Sequence, residues 1–237
     1  MSASVIVTID GPAGTGKSSA AAALSQRLGF DMLDTGAMYR AVALLAIERG
    51  VSENDGAGLA RVMDASHIDV DFSSRPPAIT LDGRDVGQRI RQVDITGIVS
   101  RIASHHEVRV RMVDAQRAVA AMHARLITEG RDQGTVVFPT AALRIWLDAR
   151  PETRARRRAD ELTASGVAVE FATVLADIIA RDASDRGRAE GPLACPVGAV
   201  CLDTSDLSFA EVVDELERAV RARLPCLSVG CGCGGSR

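Results

Sequence analysis

Residues 11–18 read Gly11, Pro12, Ala13, Gly14, Thr15, Gly16, Lys17 and Ser18, which fits the phosphate-loop pattern G-x-x-x-x-G-K-[ST]. Such a loop works only between a buried strand and the start of a helix, and both neighbours are present. Val5-Ile6-Val7-Thr8-Ile9 is an apolar, β-branched run that reads as a strand covered on both faces. Ser19 to Leu28 is rich in Ala and Leu and reads as a helix. The glycines let the backbone wrap a phosphate chain with its N–H groups inward, and the helix N-terminus adds positive potential. Lys17 then reaches the β- and γ-phosphates, and the Ser18 hydroxyl is a ligand for Mg²⁺. Residues from Gly11 to Ser19 therefore predict a nucleoside triphosphate site. The motif alone leaves open whether the phosphate is transferred, hydrolysed or sensed.

The rest of the chain supports an α/β fold. Apolar strand-like segments at 5–9, 30–33, 126–128, 143–147 and 200–202 alternate with helical patterns at 17–28, 37–49, 56–65, 93–101, 107–124, 151–165, 170–183 and 208–223. Pro151 in a first helical turn and Ser208 three residues before Glu211 are ordinary start signals. Alternating strands and helices imply a five-stranded parallel sheet covered on both faces, a three-layer P-loop sandwich. Residues 66–90 break this rhythm. Alternation through His67-Ile-Asp-Val-Asp-Phe72, then Asp82-Gly83, predicts a small antiparallel insertion projecting from the parallel domain. Residues 166–192 are densely charged and end in Gly191-Pro192, as expected of a lid or of a plain surface helix and loop. The expected organisation is a core over 1–65 and 91–223, the insertion at 66–90, and a disordered tail at 224–237.

At 237 residues, 46% apolar and only 3% aromatic, the core should be built from Ala, Val, Ile and Leu. A net charge of −3 argues against a general nucleic-acid or membrane-surface binder. Neither a long apolar run nor a signal-peptide pattern is present, so a soluble, cytoplasmic protein is expected. The five cysteines sit late, at 195, 201, 226, 231 and 233. They read as reduced thiols, and the Gly-rich end as a tail rather than a soft-metal site, because its spacing matches no standard zinc pattern.

Phosphoryl transfer needs positioning and positive charge more than covalent chemistry. Three arginine-bearing clusters qualify. The first is Leu33-Asp34-Thr35-Gly36-Ala37-Met38-Tyr39-Arg40, where Thr35 is expected to cap a helix and Arg40 to sit one turn inside it. The second, Thr128-Glu129-Gly130-Arg131-Asp132-Gln133-Gly134-Thr135, follows a strand where open α/β sheets bind ligands. The third is Arg181-Asp182-Ala183-Ser184-Asp185-Arg186-Gly187-Arg188, which as a lid would carry arginines to the phosphates. Each also reads, taken singly, as a solvated helix residue, a turn with a local ion pair, or a charged helix end.

Taken together, the blocks resemble the bacterial cytidylate kinases of the nucleoside monophosphate kinase superfamily, from Val5 to about Ala222. The most distinctive segment is Glu129 to Pro139, joined by Arg-Asp-x-x-Asp-Arg-x-Arg, Pro192-Leu193 and Leu202-Asp203-Thr204. The resemblance implies ATP + CMP ⇌ ADP + CDP, with dCMP as a second acceptor, Mg²⁺ as cofactor and a monomeric enzyme. It implies that Lys17 and the loop amides hold the donor, with Arg157 on its phosphates. Thr35, Arg40 and Arg131 would hold the CMP side, the arginines on its phosphate. Ser100, Arg109, Asp132 and Arg188 would surround cytosine. Arg181 and Asp185 would reach the pentose, and the lid arginines would act with Lys17 on the moving phosphoryl group. His105-His106 departs from the family's aromatic-proline pair and is expected to be structural. Gly198 stands where the family carries a carboxylate. A kinase for UMP or AMP, or a regulatory ATP-binding module, are the competing readings; a GTPase would need an Asn-Lys-x-Asp run that is missing.

Overall fold

A computed structural model describes residues 4–164 and 166–225. Five parallel strands form the central sheet: β1 (Val5–Asp10), β2 (Asp31–Asp34), β6 (Arg125–Gly130), β7 (Leu143–Asp148) and β8 (Val200–Asp203), in the order β2-β6-β1-β7-β8. All five begin within one residue of their expected positions, and each runs on to a polar or glycine residue at its carboxyl end. Those extra residues, Asp10, Asp34, Gly130, Asp148 and Asp203, form the rim on which the site is built.

Period-two alternation divides the side chains between two cores. Val7, Ile9, Ile127, Ile145 and Leu147 pack beneath α1 (Lys17–Leu28) and α8 (Phe209–Arg223). Leu126 and Leu33 point to the opposite face, against α2 (Thr35–Glu48), α3 (Gly56–Asp64), α4 (Val93–Ile102) and α5 (His106–Met122). The helix α8 starts with the expected capping box, in which Ser208 and Glu211 bond each other's backbone N–H.

The insertion is antiparallel, as expected: β3 (Ile68–Asp71), β4 (Ala78–Leu81) and β5 (Arg84–Asp85). Asp82 and Gly83 take φ values of 50° and 77°, the left-handed pair of a tight two-residue hairpin turn. Its apolar face is packed on the helices. Val70, Ile79, Leu81, Val86 and Ile90 are continuous with the core of α2 and α4, because a three-stranded sheet this small must bury its apolar face on something larger. One correction concerns Thr35. The cap of α2 is Asp34, whose carboxylate accepts from Ala37 N–H at 2.7 Å, while the Thr35 hydroxyl donates to the Glu129 carbonyl at 2.7 Å.

The charged region expected as a lid contains α7 (Phe171–Arg186), packed on α6 (Pro151–Ala164) around a small cluster of Ala155, Val174 and Ile178. The expected disordered tail, with Cys226, Cys231 and Cys233, lies outside the described residues apart from 224 and 225.

Candidate active site

Every candidate residue gathers at the carboxyl ends of the parallel strands. The loop leaving β1 needs glycine at specific points. Gly14 and Gly16 adopt φ of 79° and 87°, and a Cβ on Gly11 would lie 1.9 Å from the Leu147 carbonyl oxygen. Lys17 is buried, its Nζ donating to the Pro12 carbonyl at 2.6 Å, so the ammonium is folded into the loop. The Ser18 hydroxyl donates to Glu129 Oε1 at 2.6 Å. Ser19 is exposed in the first turn of α1.

Burial pushes the Lys17 amine below its usual range, and the neighbouring Arg131 and Arg181 push the same way. Burial and the nearby Asp34 carboxylate push the Glu129 carboxyl up. Polyanionic phosphates arriving at Lys17 would reverse its shift by favouring the charged form.

The opposite wall is a charge network centred on Asp185. Its Oδ1 accepts from Ser100 Oγ at 2.8 Å and from Arg188, and its Oδ2 from Arg131 Nε at 3.2 Å. Arg188 Nη2 also reaches Ser100 Oγ at 2.9 Å. Burial works to raise the Asp185 carboxyl, but Arg131, Arg188 and Arg181 together hold it below its ordinary range. Beside this network Arg109 pairs with Asp132, with side chains only 4% and 6% exposed. The ring of Tyr39 is packed nearby, and burial pushes its phenol up to about 12. Arg181 has its Nε buried without a partner, and burial together with Arg131 lowers it to about 10. Arg40 pairs with Asp34 at 3.1 Å and adds to the positive field at Arg181. Lys17, Arg131, Arg181, Arg188 and Arg40 thus converge, with Arg40 paired to Asp34 and with Arg131 and Arg188 sharing Asp185.

Arg157 binds the Thr204 carbonyl at 2.6 Å, its hydroxyl at 3.0 Å and the Thr15 carbonyl at 3.4 Å, tying the phosphate loop to the segment after β8. The histidines are separately engaged: His105 with the Glu53 carbonyl and His106 with Glu190, at 2.8 and 2.7 Å.

Sequence reasoning missed several residues that hold this arrangement. Asp10 accepts from Gln133 N–H at 2.8 Å and Gly134 N–H at 2.7 Å, fixing the 131–134 segment; burial raises its carboxyl to about 6. Arg154, in α6, is 2% exposed and bonds the Ala13 carbonyl at 3.1 Å and Asp182 of α7 at 2.7 Å. It is one of four arginines in that helix, and nothing in the sequence separates it from the exposed Arg156 and Arg158. Gly191 (φ 57°) passes so close to the Arg109–Asp132 pair that a Cβ would lie 2.0 Å from Arg109 Nη2.

The phosphate loop thus lies beside an arginine-rich group of side chains carried by α4, α5, α7 and the segment after β6. The family model for cytidylate kinases matches residues 7–222. The chain belongs to the cytidylate kinase family. It is 44% identical over 223 residues to the cytidylate kinase of Mycolicibacterium paratuberculosis, covering 94% of this chain and 98% of the relative. Against the cytidylate kinase of Nocardia farcinica the identity is 42% over 220 residues, with 93% and 95% covered. A gluconokinase from Sinorhizobium meliloti superposes with a TM-score of 0.50 at 13% identity, covering 95% of each chain, a likeness of fold alone. Membership makes this chain a nucleotide-binding kinase, a transferase built on the P-loop fold. No helix of the described residues is long and apolar enough to cross a membrane.

Proposed function

We propose that this kinase transfers the terminal phosphoryl group of ATP to CMP, and to dCMP, in the cytoplasm and as a monomer. The observation that carries the reading is the gathering of Lys17, Arg131, Arg181, Arg188 and Arg40 around the phosphate loop and the Asp185 network, with Arg131 and Arg181 pushing Lys17 down and the Arg181 Nε left without a partner. Two polyanions repel each other strongly, so a site that brings them into line needs charge of this sign between them.

Gly11 to Ser19 hold the ATP phosphates through backbone N–H groups and Lys17, with Arg157 behind the loop. Arg40 and Arg131 hold the CMP phosphate with guanidinium forks, beside Thr35. An oxygen of that phosphate attacks the γ-phosphorus, and the bond to the β,γ-bridging oxygen breaks to release ADP. No general base is required, because the acceptor phosphate is already anionic near neutral pH. Arg131, Arg181, Arg188 and Lys17 neutralise the spreading charge, a role worth about 10³–10⁵ in rate for a single arginine in related chemistry. Cytosine presents an amino donor beside ring acceptors. Asp132 supplies an acceptor, and Arg109, Arg188 and Ser100 supply donors, so a base with the opposite edge would leave buried groups unpaired. Asp185 and Arg181 approach the pentose.

Mg²⁺ suits the donor side. Ser18 Oγ and the Glu129 carboxylate are hard oxygens 2.6 Å apart, and among the described residues no group of three or more His, Cys, Asp or Glu side chains gathers as a structural metal cage would need. A cation that keeps water and phosphate oxygens in its shell needs only such a sparse protein contribution. Ser18 would hold Mg²⁺ with Glu129 behind it, and the ion would supply charge neutralisation on the ATP phosphates.

The test is ADP release from ATP-Mg²⁺ with CMP, dCMP, UMP, AMP and GMP in parallel, with and without a chelator. Turnover strongest with CMP and dCMP, lost on chelation, is expected. Equal or better turnover with another base would overturn the cytosine assignment, and ATP binding without turnover would overturn catalysis.

A further inference from the structure

At the β8 edge of the sheet, two thiols lie side by side. Cys195 and Cys201 are both free and exposed, with Sγ atoms 3.5 Å apart. A tight turn brings them together: Ala199 N–H donates to the Pro196 carbonyl at 3.0 Å, and Gly198 takes the left-handed conformation the reversal requires, at φ 72°. Both ends of the turn are anchored. Pro196 is buried against Gly134, where an added Cβ would meet Pro196 Cγ at 2.8 Å. Cys201 lies in β8 opposite Trp146 of β7. The two cysteines share the wall of a cavity of about 620 Å³ with Trp146, Arg150, Asp182 and Arg186, beneath the α7 helix.

We propose that Cys195 and Cys201 form a dithiol–disulfide modification site that takes a low-molecular-weight disulfide as its oxidant. Cys201, on the edge strand β8, loses its proton and attacks one sulfur of the oxidant, whose S–S bond breaks to release one thiolate. Cys195 then gives up its proton and attacks Cys201 Sγ, closing the protein S–S bond and expelling the second thiolate. The protein loses two electrons and two protons; the oxidant gains both and departs as two thiols. Partial burial and the neighbouring Cys201 push the Cys195 thiol up to about 11. Once Cys201 is held in the mixed disulfide, its own share of that upward push is gone.

Bond formation needs the sulfurs to close to about 2.05 Å, a movement of about 1.5 Å that a short exposed turn absorbs. The bond draws the turn carrying Pro196 toward β8, next to Gly134, whose N–H holds Asp10. In a reducing compartment such a pair stays as thiols and records oxidation, rather than serving as a permanent staple.

Tryptic peptide 189–218 contains both cysteines and is cut away from the tail thiols, so the unmodified full chain serves as the sample. It is equilibrated with reduced and oxidised glutathione at graded ratios, blocked with N-ethylmaleimide, digested and weighed. The expected result is a peptide lighter by two hydrogens, with both thiols lost together and both restored by dithiothreitol. In Cys195→Ser the same peptide should instead gain one glutathionyl group at Cys201. Retention of both thiols at every ratio, two glutathionyl groups on the native peptide, or a cross-link to the 224–237 peptide would each overturn the proposal.

Discussion

Replacing Gly191 with Ala probes the proposed acceptor subsite without replacing any charged group. The new Cβ would fall 2.0 Å from Arg109 Nη2 and 2.5 Å from Asp132 Oδ2. Ordinary contact lies at about 3.5 Å, so the guanidinium must retreat by about 1.5 Å from a pair with almost no solvent around it. Loosening hydrogen bonds of such a buried pair costs about 1–3 kcal/mol. If Arg109 and Asp132 bind cytosine, that cost reappears as a fall in kcat/KM for CMP of about 5- to 150-fold. A further cost of about 1–2 kcal/mol arises because φ is 57° at this position, and it weakens the fold as a whole. Gly198→Ala is the control. It has the same handicap at φ 72°, but the nearest atom to its Cβ is Arg144 Nη2 at 3.8 Å. Thermal melts and steady-state kinetics with CMP varied, together with ATP titration, separate the two effects. Both variants should melt lower, both should bind ATP normally, and only Gly191→Ala should lose efficiency with CMP. Matching CMP kinetics in the two variants would refute the placement of cytosine beside Arg109 and Asp132.

Lys17→Ala should lower turnover by orders of magnitude with an unchanged melt, and near-normal activity would remove Lys17 from the donor site. Arg131→Ala should cut phosphoryl transfer by about 10³-fold or more while ATP titration stays close to wild type; equal loss of both would contradict its acceptor role. Arg154→Met leaves Asp182 buried without its partner and frees the Ala13 carbonyl, and should cost about 3–5 kcal/mol in a denaturation midpoint series. Adding Asp182→Leu should restore most of that stability but not ATP affinity, because the phosphate loop still lacks its brace. Recovery of both would reduce Arg154 to a packing residue.

The acceptor and donor halves were legible in the sequence to different depths. The donor loop is contiguous, and its neighbours declare strand and helix by local periodicity, so its geometry followed from the motif. The acceptor side has no contiguous motif. Ser100 and Asp185 meet across 85 residues of chain, and their assignment came from resemblance to a family rather than from spacing. The cap of α2 illustrates the limit at single-residue scale. Asp34 and Thr35 are both good capping residues, and the choice fell to Asp34 because the Glu129 carbonyl, 94 residues away, engages the Thr35 hydroxyl.

By itself the sequence determined the alternation of strands and helices, the phosphate loop, the hairpin turn at Asp82-Gly83 and the capping box of α8. All of these depend on interactions within a few residues, where propensity, periodicity and turn chemistry act directly. Only the tertiary structure decided which arginines face one another. It placed Arg131 and Arg181 close enough to Lys17 to push its amine down, and it buried Arg154 as a brace while leaving Arg158 in solvent. It also brought a glycine at 191 against a charge pair formed by residues 109 and 132. Charge interactions depend on distance and dielectric, and folding sets both. A sequence states which charges exist, and the fold decides which of them must wait for a phosphate.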